Sequence, residues 1–204
     1  MSKLHFVLMS LFLLCCAERI SVYGQVTECD RLAAHPSDPD KLTEGVATAT
    51  LMQALAPAIA ACEQAVTAEP DNPRLNYQLG RVLFYNKEYA RGFRYVEKAA
   101  ALGYRQAQFV AGLIYADGQE GFMKPDHCRS LPLWQQAADR GHYAAEVSLS
   151  RNYLRGVYDR CDAQLKREAI VGYLQSASKK TKSYYEKLLV EYLLEQAEKS
   201  KRKR

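Results

Sequence analysis

The chain has 204 residues, 48% hydrophobic and 25% charged, a composition that supports one packed domain. Lys and Arg outnumber Asp and Glu by 28 to 23, yet five of those bases crowd into the last six residues, KSKRKR. The body is close to neutral and offers no sign of the basic face of a nucleic-acid-binding domain. Six cysteines with no C-x2-C spacing argue against a zinc site; His127 beside Cys128 is a single candidate pair.

Residues 1–24 read as a secretory signal peptide. Lys3 precedes an apolar run from Phe6 to Ala17 that is too short to span a bilayer comfortably. Val22-Tyr23-Gly24 places cleavage before Gln25 and the mature protein in the periplasm or outside the cell. The short run and Glu18-Arg19 speak against an uncleaved anchor. A lipoprotein site at Cys15 or Cys16 is disfavoured by the bulk of the preceding residues, Leu14 and Cys15. Four cysteines then remain, and an even count in an exported chain implies disulfides with three possible connectivities. Cys29 and Cys62 lie 33 residues apart, as do Cys128 and Cys161, which favours pairing in sequence order.

Residues 25–70 read as an N-terminal cap. HPSDPDKL is turn chemistry, and Cys29 to Ala34 has room for one helical turn, held mainly by its bridge to Cys62. Leu51 to Ala68 carries a helical stripe through Ile59, Cys62 and Val66, with Pro57 in the first turn and Pro70 beyond the end.

Residues 71–178 repeat. Gly80 stands three residues before Leu83, and Gly112 three before Tyr115. Ala99-Ala100 precedes Gly103, and Ala137-Ala138 precedes Gly141, with the two closing glycines 38 residues apart. A weaker third copy opens on Ser150 and Tyr153 and closes on Gln175, Ser176 and Ala177. Such a period predicts an all-α solenoid of antiparallel helix pairs, with small residues where helices cross. The expected helices are 74–86 and 88–101, 105–117 and 128–139, and 143–155 and 163–177. Pro132 is expected in a first turn. Tyr184 to Ala197, within 179–198, reads as a C-terminal capping helix, and 199–204 as a basic tail.

The second row, with Gly112, Tyr115, Gly118, Asp126, Trp134 and Ala137 to Gly141, resembles a Sel1-like repeat. The first row, with Leu79-Gly80, Tyr89 and Ala99, is closer to the related tetratricopeptide repeat. The resemblance implies the fold, and members that act as adaptors; it does not imply an activity.

No catalytic arrangement stands out. His35, His127 and His142 are scattered, and no phosphate-binding or nucleophile motif occurs, so no enzyme activity, metal or cofactor is expected. The first helix of each pair should line a concave face. Counting from Gly80, Gly112 and Ser150, the inward positions include Arg74, Tyr77, Gln78, Arg81, Tyr85, Phe109, Arg151 and Arg155. Guanidinium and phenol groups over an apolar floor suit a protein segment bearing carboxylates. The leading expectation is therefore an exported adaptor or scaffold. The alternatives are a structural envelope component attached through the basic tail to an anionic surface, and an enzyme with an unrecognised site.

Overall fold

The structure, a computed structural model, describes residues 24–162 and 165–199. The rest of the expected signal peptide and residues 200–204 of the tail lie outside the described residues. Ten helices follow one another among those described: α1 (Glu28–Ala33), α2 (Thr48–Gln53), α3 (Leu55–Ala68), α4 (Pro73–Tyr85), α5 (Tyr89–Ala101), α6 (Arg105–Asp117), α7 (His127–Asp139), α8 (Tyr143–Leu154), α9 (Arg167–Ser178) and α10 (Tyr184–Lys199). From α3 onward each helix packs on its neighbours in the chain, while α1 folds back onto both α3 and α4. The architecture is a helix-pair solenoid.

The residues of the repeat explain its geometry. A Cβ placed on Gly80 would lie 2.6 Å from Val96 Cγ2 and 2.9 Å from the Gly92 carbonyl; one on Gly92 would meet the Gly80 carbonyl at 2.9 Å. Helices α4 and α5 therefore cross backbone to backbone. At Gly112 the missing side chain makes room for the Trp134 indole, whose Nε1 donates to the Phe109 carbonyl at 2.9 Å.

The closing Ala-Ala-x-x-Gly is a helix terminator with a defined wiring. Gly103 and Gly141 have φ of +87° and +74°, the left-handed region open to glycine. The amides that follow the two glycines, of Tyr104 and His142, bond back to the Ala99 and Ala137 carbonyls at 2.9 and 3.0 Å. This is the Schellman pattern. The same wiring ends α4, with Lys87 at φ +65° in the glycine position.

Three expectations change. The helix expected over 51–68 is broken at Ala54, because Pro57 has no N–H to give the Gln53 carbonyl and its ring crowds that carbonyl. Pro132 sits in the second turn of α7 and faces solvent, where the lost bond is tolerated. Helix α9 begins at Arg167, not near 163.

The disulfides Cys29–Cys62 and Cys128–Cys161 are both formed. Each 33-residue closure stabilises by roughly 3–4 kcal/mol in the chain-entropy picture. The α1 turn also owes its place to burial: Cys29, Asp30, Ala33 and Ala34 are all fully buried.

The crossing geometry makes one substitution act with opposite sign at two sites. Gly80→Ala should lose about 1–3 kcal/mol, since overpacking outweighs the gain in helix propensity. Gly172→Ala in α9, where a Cβ meets nothing within 4 Å, should gain up to about 1 kcal/mol. Urea denaturation of the two variants measures both.

Candidate functional site: a groove on the concave face

The inner face of α4 carries a polar stripe at i, i+4 and i+7: Arg74, Gln78 and Arg81. All three are buried, and all three hold the chain's own cap. Arg74 Nε and Nη2 donate to the two Asp30 carboxylate oxygens at 2.8 and 3.2 Å, and Gln78 Nε2 donates to Oδ1 at 2.8 Å. The Thr27 amide donates to Oδ2 at 2.8 Å, so Asp30 also closes a capping box at the start of α1. Burial alone would raise the Asp30 pKa; these hydrogen bonds, with the Arg74 charge, overcome it and hold the carboxyl below its ordinary 3.8.

Further along, Arg81 Nη1 donates to the Ala33 and Ala34 carbonyls, at the negative C-terminal end of α1, and Nη2 to the Val46 carbonyl. The expectation that Arg74, Gln78 and Arg81 face a partner is corrected here: all three are buried and bonded to a cap 35 to 49 residues distant in sequence.

The cap's loop, from His35 to Lys41, then forms one wall of a groove of about 780 Å³ on the concave face. It is bolted down twice. Tyr104 Oη donates to the buried Asp38 at 2.7 Å, and Arg105 grips Asp40 with two bonds of 2.7 Å. The floor comes from α4 and α6 through Tyr77, Phe84, Tyr85, Phe109, Val110 and Leu113. Tyr77 is 1% exposed and contributes mainly packing, whereas Tyr85 and Phe109 are half-buried. The opposite wall is built by Gly141 to Ala144 together with Lys180, Lys182 and Glu186. Lys180 is held by the Gly141 carbonyl and by the buried Glu146 at 2.9 and 2.7 Å, leaving Lys182 as an exposed cation on that rim.

His142 is stacked on Phe109 at 4.8 Å between ring centroids. The Ala145 amide donates to its Nδ1, so the proton sits on Nε2, which donates to Gln106 Oε1 at 2.8 Å; Gln106 Nε2 donates in turn to Tyr77 Oη. Burial, with Arg105 nearby, lowers the His142 pKa to about 4; burial, with Arg81 and Lys41, does the same for His35. Both rings are neutral at pH 7.

Arg151 and Arg155 are exposed but do not line the groove. The residues that sequence reasoning missed are Tyr104, His142 and the cap loop. A signal existed for the first two: each follows a closing glycine, 38 residues apart, and opens the next helix. Among the described residues no group of three or more His, Cys, Asp or Glu is placed to hold a metal, and no helix is long and apolar enough to cross a membrane.

No family model matches the chain, and neither does any curated protein. Among solved structures, a Sel1 repeat protein from Oxalobacter formigenes superposes with a TM-score of 0.51 at 22% identity, over 64% of this chain and 53% of that one. A protective antigen present in uropathogenic Escherichia coli strains, described as displaying an SLR fold, gives 0.48 at 20% identity, over 80% of this chain and 36% of that one. The first likeness, together with the helix-pair architecture, shows the Sel1-repeat fold. The chain spans about half the length of that protein.

Two outcomes follow from these contacts. Asp30→Ala leaves the Arg74 charge buried without its carboxylate and should lose about 3–5 kcal/mol in chemical denaturation. Stability should also fall with acid. The unfolded state protonates His142 below its ordinary 6.5, whereas the folded state resists until about 4. The contribution is therefore complete above pH 6.5 and is lost as pH drops toward 4, by about 3 kcal/mol. His35 acts with the same sign. His142→Gln should flatten that part of a stability-against-pH curve.

Proposed function

We propose that the protein is an exported interaction module that captures a segment of another protein in the concave groove. One observation carries the reading: part of this concave face already holds a segment of polypeptide, the short helix α1 and the irregular stretch around it. The cap is gripped through a carboxylate, by Arg74 and Gln78, and through backbone carbonyls, by Arg81. The adjoining groove continues that surface with an aromatic and aliphatic floor and cations at Lys41 and Lys182. The segment suited to it has apolar side chains for the floor and acidic groups for the rim, with affinity from burial and register from charge. Two disulfides and the leader-like apolar run support a periplasmic or extracellular place of work.

Of the residues singled out in the sequence, Tyr85 and Phe109 belong to this proposed surface. Arg151 and Arg155 would meet only a segment long enough to run past the groove.

Selection from a displayed random-peptide library tests the proposal. The recovered peptides should combine aromatic or aliphatic residues with Asp or Glu. Leu113→Glu on the floor should weaken them roughly tenfold or more. Lys182→Glu should weaken them by a smaller factor that shrinks with added salt. Peptides that bind both variants as well as the wild type would place recognition elsewhere and overturn the reading.

A further inference from the structure

The last helix, α10, is apolar on both sides. Val190, Leu193 and Ala197 are buried against α8 and α9, as a capping helix requires. On the opposite side Tyr184, Tyr185, Leu188, Leu189 and Tyr192 are between 42% and 81% exposed. Tyr185, Leu188 or Leu189, and Tyr192 recur at i, i+3 or i+4, and i+7, the spacing of a helix–helix seam. A solenoid end that faces water ordinarily turns a polar surface outward. This one does not, and so contiguous an apolar face marks an interaction site.

Charge along the segment identifies the occupant. Lys182 and Lys187 lie before the helix midpoint; Glu191 and Glu195 lie after it. The two exceptions are already engaged. Glu186 Oε2 accepts the Lys182 and Ser183 amides at the helix start, and Lys199 pairs with Glu195 at 2.5 Å. A second helix of the same sequence laid parallel would set lysine on lysine. Laid antiparallel, about a two-fold axis between Leu188 and Leu189, it sets Tyr185 beside Tyr192 of the second copy. Lys182 then stands opposite Glu195, and Lys187 within one residue of Glu191. Each match occurs twice, as a closed two-fold contact demands. The intrahelical pairs Lys187–Glu191 at 3.8 Å and Lys199–Glu195 at 2.5 Å are both exposed, worth little by themselves, and free to re-pair across such a seam.

We infer that the exposed face of α10 is the contact surface of an antiparallel homodimer, with two copies of the chain joined at the C-terminal ends of their solenoids.

Sedimentation velocity over a concentration series tests it with charge-reversed variants. Wild-type protein should show a monomer–dimer equilibrium. Lys182→Glu with Lys187→Glu should raise the dimer dissociation constant at least about tenfold, and so should Glu191→Lys with Glu195→Lys. An equimolar mixture of the two variants should dimerise again, because each basic half then meets an acidic one. Circular dichroism confirms that each variant is folded, and Leu188→Glu with Tyr192→Glu should abolish the dimer by another route. Wild-type protein that stays monomeric throughout overturns the inference. So does a dimer indifferent to these changes, or a mixture of the charge variants that fails to re-form one. Wild-type protein that is monomeric yet binds phosphatidylglycerol vesicles through Tyr185 and Tyr192 would assign the face to lipid and overturn it as well.

Discussion

A carboxylate with no access to water must find donors for its lone pairs, and the position of Asp30 is decided by that requirement. Thr27 supplies one from its own backbone; Arg74 and Gln78 supply the others from a single face of α4. Because Asp30 sits next to Cys29, the short helix α1 is pinned in two directions at once, to α4 by hydrogen bonds and to α3 by the disulfide. A six-residue helix has little stability alone. Here its orientation follows from two adjacent residues. The wall of the groove follows from α1 in turn, since the loop that leaves it is delivered across the concave face to Tyr104 and Arg105.

The repeat contributes the other wall by a local device. Each closing glycine turns the chain so that the next residue becomes the cap of the following helix and points into the concave side. At one such corner stands Tyr104, which holds Asp38; at the next stands His142, which holds Gln106. A motif usually read as packing thus also sets the spacing of the groove's polar anchors. The histidine and the glutamine lock each other's orientation, so that part of the surface is pre-organised.

Most helix boundaries were legible because they rest on near neighbours: Pro70 just beyond α3, Ala-Ala-x-x-Gly ending α5 and α7, small residues at the crossings. The break at Ala54 was a missed local signal, for Pro57 acts on a carbonyl four residues back. The inward stripe of α4 was legible as well, down to Arg74, Gln78 and Arg81. Its partner was not. A bond from Arg81 to Ala33 joins positions 48 residues apart, and the cap carries no periodicity that would announce where it lands. Arg151 followed the same counting rule as Arg81, yet it stays exposed.

By itself, then, the sequence determined the all-helical class, the repeat period, the sites of close crossing and the chemistry available on each face. These are consequences of interactions within a turn or between adjacent helices, where spacing along the chain is spacing in space. Only the tertiary structure decided which of the inward polar groups serve the fold and which stay exposed. That choice depends on where an irregular segment comes to rest, and burial of one carboxylate settled it.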